Sequence, residues 1–189
     1  MNELAIAFKE WAVICQALAD GRQTILLRKG GIAEPTGAFR VEHDRFWLFP
    51  TFVHQQDDGV LDAYRPLLDA VRHAAPPPGQ VRLSHFVAVE QVWYVDRLDQ
   101  ALALRALHGW SDATIESRFH YRTPGLFVLA VRTYRAAADV LVPLTEHYAG
   151  CKSWVALDRP LSTAGAVPVL PDDRFAEVVR QVDATLGQG

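Results

Sequence analysis

Long hydrophobic runs are missing from this chain: no stretch of its 189 residues approaches the roughly 18 uncharged positions that a membrane-crossing helix needs. A soluble protein without a membrane partner is expected. The first residues carry Glu3, Lys9 and Glu10 among apolar positions, unlike the uncharged centre of a secretory leader, so the expected address is the cytoplasm. Cysteine is scarce as well. Cys15 and Cys151 are the only two and stand far apart, which favours free thiols in a reducing compartment and leaves no zinc site resting on them. A charge excess of one sign is also lacking: 19 basic against 22 acidic side chains give −3, so any attraction to phosphate must come from a local patch. What remains, 50% apolar and 22% charged residues, is ordinary globular composition and excludes disorder and a collagenous fibre.

Several catalytic signatures are absent too. There is no Gly-rich phosphate loop ending in Lys-Ser/Thr, no Gly-x-Gly-x-x-Gly turn and no His-Glu-x-x-His helix, so nothing calls for ATP, a nicotinamide or a bound metal, and no cofactor is expected. A restriction-type nuclease would place an acid two positions before a lysine, so that carboxylate, lysine and metal converge on one phosphate. The three lysines, Lys9, Lys29 and Lys152, are preceded there by Ala7, Leu27 and Gly150.

The pattern along the chain predicts an α+β fold: a mixed or antiparallel sheet, or a small barrel, flanked by helices. Leu4, Phe8, Trp11, Cys15 and Leu18 follow helical spacing. Gln23 to Leu27 reads as a strand ending in the turn Arg28-Lys29-Gly30-Gly31. Phe39 to Thr51 holds two strand pieces, the second, Phe46 to Phe49, apolar on both faces. Leu61 to Ala74 is a helix, and Pro76 to Gly79 is a hinge or tight crossover. Val81 to Val95 is strand-like, Leu98 to Leu107 helical, and Ser111 caps a short helix through Ser117. Arg118 to Arg122 alternates like a half-exposed strand; Leu126 to Tyr134 and Ser153 to Leu157 are further strands. Asp172 or Asp173 caps a final helix running to Leu186. The expectation is one domain over 1–189, with two subdomains, 1–75 and 80–157, as the alternative.

Four segments are candidates for function. Arg28-Lys29-Gly30-Gly31 sets two cations beside two glycines, where backbone amides and side chains can meet an anion; a solvated turn explains the same residues. Ile115 to Arg135 holds four arginines against the single acid Glu116, with Phe119, Tyr121, Phe127 and Tyr134 interleaved. With Arg118, His120 and Arg122 on one strand face, a cationic row would follow a phosphate backbone while rings stack on bases; alternatively the rings are core. His54 and Gln55 follow an apolar strand, and Gln reads base edges in a bidentate way. His147, four residues before Cys151, makes a thiol–imidazole pair conceivable beside Lys152 and Ser153, although a small thiol near Trp154 also packs. Ser84 and His85 are neighbours on a strand, which would point them to opposite faces.

Phe8-Lys9-Glu10-Trp11, Gly21-Arg22-Gln23, Leu27 to Ile32, Phe46 to Gln55, Arg118-Phe119, Pro124-Gly125-Leu126 and Gly150 to Val155 resemble a bacterial family known as domain of unknown function 1802. That resemblance implies a link to Mrr-like restriction endonuclease domains, hence a restriction-modification role and an endonuclease subunit as partner; it carries over no catalytic residue. Gly21, Thr24 and Arg28 also resemble the ASCH group of PUA-like domains, small barrels that bind RNA or modified bases. There the group has lysine where Gln23 stands and glutamate where Leu26 stands, so binding without turnover is what the likeness implies. The resulting expectation is an accessory module binding DNA or RNA through Arg28, Lys29, Gly30, Gly31, His54, Gln55, Arg118, His120, Arg122 and Lys152. Competing expectations are a small hydrolase or divergent nuclease using His54, Glu10, Glu42 or Cys151, and a protein-interaction domain built on the five tryptophans.

Overall fold

The computed structural model describes residues 2–29, 43–53, 55–150 and 152–187. Seven strands form one mixed sheet: β1 (Glu3–Trp11), β2 (Ile25–Arg28), β3 (Arg45–Thr51), β4 (Gln80–Val95), β5 (Leu126–Pro143), β6 (Trp154–Ser162) and β7 (Val167–Pro168). Their order is β2-β5-β4-β3-β1-β6, with β7 also paired to β5. Among the described residues five helices flank it: α1 (Ala12–Ala19), α2 (Arg65–His73), α3 (Leu98–Ala103), α4 (Asp112–His120) and α5 (Asp172–Leu186). This is the mixed α+β sheet flanked by helices that the pattern predicts. No helix among the described residues is long and apolar enough to cross a membrane.

The opening helix expected from Leu4 is instead a strand as far as Trp11. β1 lies between β3, its parallel partner (Phe8↔Leu48), and β6, its antiparallel one (Phe8↔Trp154). A strand covered on both faces shows no polar alternation, and its apolar residues then match a helical period by coincidence. Ala7 and Phe8 are both buried, one in each of two cores. On one face Phe8, Leu48, Val87 and Leu129 meet α1 and Leu68 of α2. On the other, Ala7, Trp47, Phe49, Phe86 and Leu157 pack together.

At Pro76 to Gly79 the chain turns from α2 into β4. Gln80 N–H donates to the Pro77 carbonyl (3.1 Å), Gly79 adopts φ +79°, and β3 and β4, from before and after the turn, are neighbours in one sheet. Gly79 meets this left-handed φ without the Cβ penalty of other residues. Ser111 caps α4 as expected, its Oγ accepting from Thr114 N–H (3.3 Å), but the helix continues to His120. At α5 the residue preceding the helix is Pro171, and Asp172 and Asp173 fill its first turn without a side-chain cap, where their charge complements the helix dipole.

Two departures from regularity position the sites described below. The sheet is open as a strand path, yet it curls until Arg28 of β2 lies 4.2 Å above the Phe8 ring of β1, with three strands between them along the path. In β4 the pairing with β5 slips between Leu83 and His85. Such a bulge interrupts alternation. Ser84 and His85, expected on opposite faces, consequently share one side, with Ser84 Oγ 2.9 Å from His85 Nδ1.

Candidate nucleic-acid interface

The two cationic segments meet where the curled sheet closes. Glu10 follows Phe8 by two positions on β1, so its side chain takes the same inward face, and it is 3% exposed. One carboxylate oxygen accepts from Trp11 N–H (2.8 Å), the other from Arg28 Nη1 (3.3 Å). Arg28 Nη2 donates to Ser153 Oγ (2.8 Å), the residue after Lys152. Arg118 stacks 3.7 Å from the Trp110 ring centroid and donates to the Leu27 carbonyl (3.4 Å). Burial lowers the pKa of Arg118 most, with Glu10 raising it and Arg28 lowering it further.

Lys29 is the hub of this closure. Its Nζ donates to the carbonyls of Phe119 (2.8 Å) and Gly125 (2.9 Å), and to that of Thr123. An ammonium has three N–H groups, so all its donors are used within the protein. Two of those carbonyls belong to the Thr123 to Gly125 turn and one to the last turn of α4, where a cation also faces the negative end of the helix dipole. Desolvation pushes the Lys29 pKa down.

Several sequence expectations change accordingly. Arg118, His120 and Arg122 do not form a strand row. Arg118 and His120 lie two apart on α4 and diverge around it, while Arg122 follows the helix with φ +62°. Local hydrogen bonding from the Ser111 cap and burial of Ile115 and Phe119 at helical spacing outweigh the alternation of polar and aromatic residues. Arg118 and Lys29 are committed to internal acceptors, and Arg28 is neutralised by Glu10. Gln55 Oε1 accepts from Val13 N–H (2.9 Å), satisfying a free amide in the first turn of α1. Gly30, Gly31, Glu42, His54 and Cys151 lie outside the described residues. His147 Nε2 is 2.9 Å from the Ala156 carbonyl oxygen.

What stays available is the rim of the closure. Arg122 sits 5.1 Å from the ring centroid of Tyr121, which is 57% exposed. Across the Pro124-Gly125 turn, Tyr94 is 56% exposed and donates through its hydroxyl to the Pro124 carbonyl (3.1 Å). A Cβ on Gly125 would meet that hydroxyl at 2.2 Å, and its φ of +126° is itself glycine territory. Arg122, His120 and Lys152 are exposed and make no ion pair among the described residues. Tyr94 carries no site signal in the sequence, where it is one aromatic of a strand; only the fold sets it against the Pro124-Gly125 turn that follows Tyr121 and Arg122.

The family model described as domain of unknown function (DUF1802) matches residues 7–181, which include Phe8, Glu10, Arg28, Lys29, Arg118 and Ser153 of this closure. The chain belongs to the DUF1802 family. No curated protein matches it at a significant level. Solved structures are similar at low identity. ASCH from Zymomonas mobilis is 12% identical, with 93% of each chain covered and a TM-score of 0.44. A point variant of that protein is 14% identical, covering 93% of this chain and 96% of the other, with a TM-score of 0.47. A likeness of that size assigns no activity. In this DUF1802 chain no group of three or more His, Cys, Asp or Glu among the described residues is placed to hold a metal ion.

Proposed function

We propose that the chain is an accessory nucleic-acid-binding module that holds a single strand of DNA or RNA along the rim of the sheet closure. The observation that carries this reading is two exposed rings at one turn: Tyr94, bonded to the Pro124 carbonyl, and Tyr121, 5.1 Å from an Arg122 guanidinium that makes no ion pair among the described residues, in a protein of net charge −3. Aromatic faces stack on any base, at about 1–3 kcal/mol per base, and cations beside them follow the backbone. We take Lys152, exposed and next in the chain to the Ser153 that Arg28 binds, as a further cation of this surface. Internal satisfaction of Lys29, Arg28 and Arg118 supports a scaffolding role for these three, with contact left to Arg122, His120 and Lys152. The setting we infer is a restriction or defence system beside an endonuclease subunit; its support is the family resemblance alone.

A hydrolase reading gains no support among the described residues, since Glu10 is the one member of its proposed set that is described and it is engaged by Arg28. The test is fluorescence polarisation with single-stranded, duplex and RNA oligonucleotides at low and moderate salt. Salt-dependent binding that favours single strands, and that weakens about tenfold or more in Tyr121→Ala, is expected. Absence of salt-dependent binding to any of the probes overturns the proposal.

A further inference from the structure

A second site lies away from the closure, in the cleft between α1, α2 and the start of β4. It is a pocket of about 100 Å³ whose floor is Leu48, Val71 and Val81 and whose mouth is edged by Phe52, 38% exposed. Its polar wall is formed by Arg82, Ser84 and His85 of β4 facing Gln16 of α1. The β4 bulge turns both Ser84 and His85 toward this cleft, a placement that an unbroken strand does not give.

The wall has a definite chemistry. Burial lowers the His85 pKa from 6.5 to about 4, helped by Arg135 and opposed by Asp139 and Asp20, so the ring is neutral at neutral pH. When the Ser84 hydroxyl donates to Nδ1, Nε2 carries the proton and is a donor. Among the described residues these ion pairs leave one cation over. Arg82 (3.9 Å) and Arg135 (3.5 Å) share the single carboxylate of Asp139. Asp20 is engaged by Arg22 (3.8 Å) and accepts from Gln16 Nε2 (2.8 Å). A concave apolar floor with a few convergent donors and one excess positive charge is matched by a small monoanion with an apolar body. An apolar cavity of about 150 Å³ holds benzene, so a space of this size takes a tail of a few carbons.

We infer that this cleft binds a small monocarboxylate, its carboxylate against His85 Nε2 and Arg82, with Ser84 fixing the His85 ring through Nδ1, and its short apolar tail on Leu48, Val71 and Val81. The site is separate from the nucleic-acid rim and does not depend on that reading. The test is amide NMR of the full chain titrated with sodium butanoate, with butanamide as the neutral probe of the same shape. Saturable shifts confined to residues around Gln16, Phe52, Ser84 and His85 are expected. Butanoate should bind at least about tenfold more tightly than butanamide, the worth of one charge-assisted contact. Arg82→Gln, at an exposed position, should remove that preference while leaving the rest of the spectrum unchanged, and Ser84→Ala should weaken butanoate and broaden or shift the His85 ring signals. No saturable shift, equal affinity for the two probes, or shifts centred elsewhere overturns the assignment.

Discussion

Glu10 of β1 and Arg28 of β2 stand 3.3 Å apart although three other strands separate theirs along the sheet. The carboxylate is almost wholly buried and the guanidinium mostly so, so this contact counts for more than an exposed ion pair. Glu10→Gln keeps the shape and removes the charge, leaving Arg28 and Arg118 facing a neutral amide. A loss of about 2 kcal/mol in unfolding free energy is expected from chemical denaturation. Oligonucleotide affinity should hold or rise, because the variant is locally more positive.

Lys29 predicts a different signature. Lys29→Met strips three carbonyls of their common donor and should cost about 1–3 kcal/mol of stability, loosening the turn that carries Arg122. Arg122→Ala and Lys152→Ala, by contrast, should leave stability within about 0.5 kcal/mol. Each should lower the dependence of binding on salt by about one counterion. If Lys29→Met lowers that slope as much as Arg122→Ala does, Lys29 contacts phosphate directly and the scaffolding role assigned to it is wrong.

His85 and His108 tie stability to acid. Both are buried, at 7% and 2% exposure, and burial lowers each from 6.5 to about 4. His108 Nδ1 accepts from Trp110 N–H (3.2 Å), which suits the neutral ring. The unfolded chain therefore binds more protons than the folded one between about pH 6.5 and 4. The stability these neutral rings retain is complete above pH 6.5 and is lost as pH falls through that window, roughly 3 kcal/mol for each ring at about 1.4 kcal/mol per pH unit. Denaturant midpoints measured from pH 7 to 4 should fall accordingly. His85→Gln and His108→Gln should each flatten the curve.

Much of the fold was legible because its signals are local. Ser111 before Asp112, the Pro76 to Gly79 break and the two-sided apolar run from Phe46 to Phe49 each act through neighbours in sequence, and each is found in the structure. β1 was misread because a strand buried on both faces has no alternation to show. The site was legible in part: the Arg28-Lys29 and Arg118-Arg122 segments meet, as their charge suggested, but the use of individual cations was not readable. Lys29 is consumed by three backbone carbonyls, groups that every residue carries and that no pattern marks. The shared side of Ser84 and His85 comes from a bulge, and a one-residue slip leaves no trace in composition.

Gly59 offers a test of packing beneath the closure. A Cβ there would come within 2.6 Å of the Trp11 ring, which itself lies edge-on to Trp110 at 4.8 Å. The Gly59 carbonyl also accepts from Ser111 N–H (3.1 Å) and Thr114 Oγ1 (3.0 Å), pinning the backbone so that it cannot retreat. Gly59→Ala should cost about 1–3 kcal/mol and change tryptophan fluorescence, while Gly79→Ala, with open space around its Cβ position, should show backbone strain alone.

Because guanidinium and carboxylate groups, rather than a ladder of amides and carbonyls, draw β2 toward β1, the circle of strands has one link of a different kind from the rest. Dissolved ions screen so buried a pair only weakly, so the link is opened by removing its charge rather than by salt. Glu10→Gln should therefore start an edge-first unzipping at Ile25–Arg28, with amide protons of β2 exchanging into solvent before those of β1 and β3.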